Sequence, residues 1–122
     1  KGQCCIARRD TGEKTFVPLT ELEATVKELL DAIHDNMYAM ALQNRQEKTF
    51  DISSMEEAKE IISTKGGFLK SKWCGALECE LAMKEQVGVT SRCMPLQQSR
   101  SMGKCPVCGK ECETDIYWAV AY

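Results

Sequence analysis

The spacing of apolar residues divides the chain into a short strand, a long helix and a mixed second half. The run Gln3–Arg9 has an apolar centre and is followed by a polar Asp-Thr-Gly-Glu sequence, which predicts a strand entering a turn. Apolar positions then recur with a helical period over Leu22–Ala41, and Thr20 with Glu23 makes a capping-box pattern before them. We therefore expect a helix that Thr20 caps and that runs to about Gln46, long enough to join two modules.

The segment from Phe50 onward alternates strand-like and helix-like patterns. Ser53 or Ser54 can cap a helix that continues to Ile62, and Lys65–Gly67 interrupts that helix. The remaining predicted elements are a helix at 76–86 and strands at 49–52, 68–73, 90–96 and 116–121. The order β-α-β-α-β-β predicts a two-layer α+β sandwich with helices on one face of a mixed sheet.

Two close pairs of cysteines are the candidate chemistry of this chain. Cys74 and Cys79 form the first pair, and Cys105 and Cys108 form the second. Four thiolates around one ion suit Zn²⁺ or iron–sulfur chemistry, and they leave no coordination position for a catalytic water. The spacing predicts a structural metal site with zinc as the first choice, and Cys112 remains an alternative ligand.

The total of eight cysteines leaves two other interpretations open. In a secreted protein they would indicate a disulfide framework. No secretory signal pattern precedes the first strand and the sequence begins there without Met, so we expect a fragment of a longer cytoplasmic protein with reduced thiols. A thiol redox protein would use Cys105 with Cys108, but the second pair and the lack of a helix start after Cys105 argue against it.

Charge is distributed unevenly although the net charge is only −2. Residues 15–64 carry four basic and ten acidic side chains, whereas residues 65–110 carry eight basic and three acidic ones. A polyanion such as RNA would prefer the second segment. No apolar run approaches the roughly 20 residues of a membrane span, and the few aromatic residues form no stacking platform for single-stranded RNA. An independent zinc module that binds nucleic acid or protein is therefore one candidate function.

Four stretches, in this order along the chain, carry a more specific signal: 8–14 (RRDTGEK), 72–80 (KWCG leading to CE), 90–95 (TSRCMP) and 103–122 (GKCPVCGK with the terminal YWAVAY). Together they resemble the C-terminal portion of prolyl-tRNA synthetases of the eukaryotic and archaeal type, which are class II synthetases. The resemblance implies that residues 1–46 are the last strand and C-terminal helix of an anticodon-binding α/β domain. Residues 47–122 would be a C-terminal zinc-binding domain, similar in fold to the C-terminal domain of a bacterial translation initiation factor.

The same resemblance implies a non-catalytic part of a proline–tRNA ligase, which attaches proline to tRNA(Pro) with ATP and Mg²⁺. Its class II catalytic motifs lie outside these stretches, so no catalytic residue is expected here. The family's zinc ligands map onto Cys74, Cys79, Cys105 and Cys108, and Tyr122 matches a terminal tyrosine that supports the active site. Arg8, Arg9 and Lys14 are the candidate contacts to tRNA, with an ordinary solvated strand end as the alternative interpretation. The implied partners are the catalytic and anticodon-binding domains, tRNA(Pro) and a second copy of the parent protein.

Overall fold

The computed structural model describes every residue from 1 to 122 and divides into two units. The first unit, Lys1–Arg45, consists of a β-hairpin and most of a long helix. Strands β1 (Gln3–Ala7) and β2 (Lys14–Pro18) pair antiparallel, and helix α1 (Leu22–Glu47) follows. The sequence pattern predicted β1, α1 and an extended segment at 17–19, but not that a strand from Lys14 to Pro18 pairs with β1. None of the helices combines the length and the apolar character that crossing a membrane requires.

The start of α1 differs from the predicted capping box. Thr20 lies inside a 3₁₀ turn, Leu19–Glu21, whose N-cap is Pro18 and which has no side-chain cap. The Leu19 N–H donates instead to the Gly2 carbonyl at 2.9 Å, so backbone bonding of the hairpin continues to the first residue of the turn. Thr20 is part of the helical turn rather than the residue before it, so the predicted threonine cap was wrong.

Within the first unit, a polar network links the turn of the hairpin to α1. Arg8 Nε and Nη2 donate to the two carboxylate oxygens of Asp10 at 3.1 and 2.7 Å, and Asn36 Nδ2 donates to Asp10 Oδ2 at 2.8 Å. The hydrogen bonds from Arg8 are the main reason that the pKa of Asp10 is lowered to about 2. Burial opposes this effect, and the bond from Asn36 lowers the pKa further. The turn is thus held by charge-assisted bonds.

The second unit, Gln46–Tyr122, contains a four-stranded mixed sheet with the strand order β3-β4-β8-β5. Its elements are β3 (Thr49–Asp51), α2 (Met55–Thr64), β4 (Phe68–Trp73), α3 (Leu77–Gln86), β5 (Thr90–Cys93), β6 (Gly103–Lys104), β7 (Glu111–Cys112) and β8 (Thr114–Ala119). Strand β3 is parallel to β4, and β8 is antiparallel to both β4 and β5. Strands β6 and β7 form a separate small hairpin.

The core of the second unit lies between one face of this sheet and the two short helices. Leu69 on β4 pairs with Trp118 on β8, and both side chains are buried with Ala58 of α2 and Met83 of α3. The Trp118 indole N–H donates to Ser71 Oγ at 2.9 Å, which satisfies its polar atom inside the core. The predicted α+β fold with a mixed sheet is confirmed.

Strand β5 ends earlier than the predicted strand at 90–96, and a side chain takes over its pairing. Gln98 Oε1 accepts from the Asp115 N–H at 2.6 Å, while Gln98 Nε2 donates to the Asp115 carbonyl at 3.2 Å. A primary amide offers a donor and an acceptor in one plane, as a peptide group does. The Gln98 side chain therefore makes the hydrogen bonds to the backbone of β8 that a longer β5 would have made.

Candidate metal centre

Four sulfur atoms meet beside the sheet of the second unit. The Sγ atoms of Cys74, Cys79, Cys105 and Cys108 all lie within 4.8 Å of one another. Cys74 Sγ is 3.6 Å from Cys79 Sγ and 3.7 Å from Cys108 Sγ. Tetrahedral Zn–S bonds of about 2.3 Å place neighbouring sulfurs about 3.8 Å apart, whereas a disulfide needs about 2.05 Å. The cluster can therefore hold a metal ion, and all eight cysteines are free thiols.

The first pair is positioned by the connection from β4 to α3. Cys74 follows the last residue of β4, and Gly75 takes a φ of 83°, which turns the chain sharply. The Trp73 indole N–H donates to the Ala76 carbonyl at 3.3 Å and closes this turn. Cys79 then lies in the first turn of α3, where it is buried. One sulfur is thus supplied by a turn and the other by a helix.

The second pair lies at the end of the β6–β7 hairpin. The Cys105 N–H donates to the Lys110 carbonyl, and the Gly109 N–H donates to the Cys105 carbonyl, both at 2.9 Å. Gly109 has a φ of 71°, a left-handed conformation that glycine adopts without steric cost. Cys105 is buried and Cys108 is exposed, so the site has one face toward solvent.

Backbone amides around the second pair favour the thiolate form of Cys105. Burial acts to raise the pKa of the Cys105 thiol, but the backbone N–H groups of Cys108, Val107 and Cys74 outweigh burial and lower it. Burial raises the pKa of Cys79, and its cysteine neighbours add to this rise. A divalent cation bound at the centre would favour the thiolate form of both residues.

Cys112, the alternative ligand, is not one of the four clustered residues. It lies on β7 opposite Gly103 and is half-buried. Burial raises the pKa of its thiol, and the nearby Cys105 and Cys74 raise it further. Cys108 rather than Cys112 is therefore the fourth member of the cluster.

The other predicted site residues lie away from the cysteine cluster in the sequence and take no part in it. Arg8 is bound to Asp10, whereas Arg9 and Lys14 are exposed on the first unit. Tyr122 lies beyond the last strand and is fully exposed. The cluster therefore contains the four predicted metal ligands, and the structure does not test the roles predicted for Arg8, Arg9, Lys14 and Tyr122.

A partly buried ion pair next to the cluster was not predicted from the sequence. Lys72 Nζ lies 2.7 Å from Asp115 Oδ1, and it also donates to Ser99 Oγ at 2.8 Å and to the Glu113 carbonyl at 3.1 Å. The side chains of Lys72 and Asp115 are 14% and 5% exposed. Burial would raise the pKa of Asp115, but the bonds from Lys72 and Ser99 outweigh it and lower the pKa to about 2.

Lys72 lies near the segments that carry both cysteine pairs. Lys72 precedes Cys74 by two positions, and a Cβ on Gly103 would lie 2.7 Å from Lys72 Cγ. The absence of a side chain at Gly103 therefore lets β6 lie directly against Lys72. No local pattern indicates that Lys72 and Asp115 pair, since they lie on different strands, although the position of Lys72 beside the cysteine motif was visible.

The fold and the cluster together define a small α+β unit with four clustered cysteines that could hold a metal ion. Residues 55–122 match the family described as "Prolyl-tRNA synthetase, C-terminal". The chain belongs to this family, as the sequence resemblance implied.

Individual relatives agree with this assignment. The chain is 48% identical over 120 residues to a proline–tRNA ligase from Clostridium novyi, covering 98% of the chain and 25% of that relative. It is 43% identical over 122 residues to proline–tRNA ligase 2 from Bacillus thuringiensis, covering 100% of the chain and 26% of that relative. The chain thus spans about a quarter of the length of these relatives.

The fold is also found in a solved structure. The crystal structure of prolyl-tRNA synthetase from Cryptosporidium parvum in complex with L-proline and AMP matches the chain with a TM-score of 0.92. The match covers 100% of this chain and 26% of that one, at 22% sequence identity. At this identity the likeness establishes the fold. The similar proteins come from both bacteria and a eukaryote, so the eukaryotic and archaeal type noted in the sequence does not fix the organism.

Proposed function

We propose that this chain is the C-terminal region of a proline–tRNA ligase, which joins proline to tRNA(Pro) with ATP and Mg²⁺. The observation that carries the proposal is the family match over residues 55–122, which includes all four clustered cysteines. The relatives that align with nearly the whole chain are proline–tRNA ligases, and this counts against an independent zinc module. The contribution of the chain itself is structural rather than catalytic.

The two units correspond in this proposal to two parts of the synthetase. Residues 1–46, which contain the β1–β2 hairpin and most of α1, are the end of the anticodon-binding domain, and residues 47–122 are the zinc-binding domain. The division of the chain between Arg45 and Gln46 supports this boundary. The family match, which begins at Met55, is consistent with it.

Zinc is the proposed metal, held by Cys74, Cys79, Cys105 and Cys108. The donor set fits it, because four clustered sulfurs satisfy its tetrahedral preference and leave no open position. When bound, zinc supplies cross-links between the β4–α3 turn and the β6–β7 hairpin. In small domains such links contribute directly to folding. The metal would therefore brace the C-terminal region of the enzyme.

Two surface features would serve the parent enzyme. Arg9 and Lys14 are exposed cations that can reach the phosphates of tRNA(Pro), while Arg8 supports the turn between them through Asp10. Tyr122 is an exposed aromatic residue beyond the last strand, free to meet the catalytic domain. The proposed setting is a cytoplasmic homodimer of the parent.

The test is ATP–pyrophosphate exchange by the full-length parent protein with each of the twenty amino acids. Exchange that depends on proline is the expected result, together with about one zinc per chain by elemental analysis. Exchange that depends on another amino acid, or none in a folded and zinc-loaded protein, would overturn the proposed activity. Deleting Tyr122 then tests the role proposed for this residue, and a lower kcat with unchanged zinc content is expected.

A further inference from the structure

The last three residues leave the sheet, and their course depends on few contacts. Strand β8 ends at Ala119, and Val120 and Tyr122 beyond it are exposed by 51% and 125%. A cleft of about 480 Å³ borders this tail, with Gly66, Gly67 and Phe68 also in its lining. Because the tail faces a cleft rather than the core, packing alone does not hold it.

A side chain from the neighbouring strand holds the tail instead. Arg92 Nη2 donates to the Val120 carbonyl at 2.8 Å. This carbonyl is the first main-chain acceptor after β8, where the sheet no longer supplies a partner. The bond therefore acts where the tail begins and sets the direction that the following residues take.

An irregularity in β5 directs Arg92 to this position. Ser91 pairs with Trp118, but Cys93 rather than Arg92 pairs with Tyr117, so Arg92 is the extra residue of a β-bulge. A bulge changes the direction of the side chain that it carries, and bulges are frequent next to functional sites. The register shift and the hydrogen bond are separate observations: the first leaves Arg92 without a pairing partner on β8, and the second joins its side chain to the tail.

We propose that Arg92 is a positioning residue, which sets the course of Val120–Tyr122 and thereby the placement of Tyr122 in the parent enzyme. The second half of this inference rests on the proposed function of Tyr122. The guanidinium group suits the task because it holds several N–H donors in one plane, and a charge-assisted bond to a carbonyl is stronger than a neutral one.

The first half is tested on the 122-residue, zinc-loaded chain by ¹⁵N relaxation. Arg92→Met keeps most of the aliphatic stem but removes the donor, whereas Arg92→Lys keeps a donor. We expect the heteronuclear NOE of Ala121 and Tyr122 to fall clearly in Arg92→Met and to recover at least partly in Arg92→Lys. Lys84→Met, which removes an exposed cation from α3, is the control and should leave the tail unchanged. Equal NOE values in Arg92→Met and wild type would overturn the inference.

The second half is tested in the parent enzyme by a double-mutant cycle with deletion of Tyr122. Arg92→Met alone should lower kcat of proline-dependent exchange by roughly three- to tenfold, as expected for loss of one hydrogen bond. It should have a smaller effect on KM for proline and none on zinc content. In the enzyme without Tyr122 it should have no further effect, because both changes act through the same contact.

The possible failures are distinguishable. Additive effects of the two changes would overturn the action of Arg92 through Tyr122. If deletion of Tyr122 leaves kcat unchanged while the tail of Arg92→Met is mobile, the proposed function of Tyr122 is wrong and the role of Arg92 in ordering the tail stands.

Discussion

Cys105 is the most buried of the four clustered thiols, and three backbone N–H groups support its thiolate. Replacing it by serine leaves an oxygen that does not ionise near neutral pH and is a poor zinc ligand. We expect Cys105→Ser to lose most of its zinc and to lower the Tm of the second unit by at least about 10 °C, since 1 kcal/mol corresponds to roughly 4–8 °C at this size.

Elemental analysis and thermal circular dichroism of the purified variant check both effects. Cys93→Ser is the matched control, because Cys93 is exposed and lies outside the cluster. It should keep its zinc and its Tm. A Cys105→Ser variant with full zinc content and an unchanged melting curve would remove Cys105 from the ligand set.

Among the residues of the first unit, Asp10 is the one whose protonation should change the stability of the fold most. Its folded pKa of about 2 is below the value of about 3.9 for an unperturbed aspartate. A carboxyl group with a lowered folded pKa stabilises the fold above its unfolded pKa, and this stabilisation is lost as the pH falls through its folded pKa. The contribution of Asp10 should therefore be complete above about pH 5 and decline between about pH 4 and pH 2.

The carboxyl ¹³C shift of Asp10, followed from neutral to strongly acidic pH, measures this directly. Arg8→Met should move the midpoint upward toward the ordinary aspartate value, because it removes both guanidinium bonds. Asn36→Ala should move it less, since one neutral donor is lost. A midpoint near the ordinary value of about 3.9 in the wild type would contradict the strength assigned to the Arg8–Asp10 pair.

At the scale of elements, the ion pair of Lys72 and Asp115 connects β4, β8 and the loop that carries Ser99. Removing one partner of a buried pair leaves the other charge without compensation. Lys72→Met should therefore destabilise the zinc-loaded second unit by about 2–4 kcal/mol. The double variant Lys72→Met with Asp115→Leu should lose less than the sum of the two single changes.

Urea unfolding of the zinc-loaded protein, followed by Trp fluorescence, provides these free energies. Lys70→Met is a suitable control because Lys70 lies on the same strand and forms no ion pair. Additive losses in the double variant would mean that Lys72 and Asp115 do not act as a pair.

Elements with a recognisable local sequence pattern could be predicted, whereas very short elements could not. Helix α2 was visible because it has a cap, Ser54, whose Oγ accepts the Glu57 N–H at 3.2 Å. Helix α3 was visible because Gly75 and Gly88 bound it, and β3 and β4 were visible as short strand-like runs. Strands β6 and β7 have two residues each, too few for any periodicity to register. They flank the turn that carries Cys105 and Cys108.

In the candidate site, too, features formed by residues close in the sequence could be predicted, and contacts between distant residues could not. The four clustered cysteines could be selected from the sequence because two closely spaced cysteine pairs are typical of a metal site. The pairing of Lys72 with Asp115 and of Gln98 with the backbone of β8 could not be predicted, since each joins residues far apart in the chain. Whether zinc occupies the site stays a prediction.

At the scale of the whole molecule, the metal should act on one unit and leave the other unchanged. The chain divides between Arg45 and Gln46, and all four clustered cysteines belong to the second unit. A ligand that binds only the folded state stabilises that state in proportion to the logarithm of its concentration over Kd. Removing zinc should therefore destabilise the region from Trp73 to Tyr122, whereas the hairpin of the first unit keeps its own hydrogen bonds.

Amide hydrogen exchange before and after treatment with a strong zinc chelator tests this asymmetry. Exchange should accelerate at least tenfold, equivalent to about 1.4 kcal/mol, in β4, β8 and the β6–β7 hairpin and should stay within about twofold in β1 and β2. Adding zinc back should restore protection. Equal acceleration in both units would mean that they unfold as one body, and no acceleration would mean that the four sulfurs do not bind a stabilising metal. Because exchange is read residue by residue, one experiment separates the role of the metal from the stability of the chain as a whole.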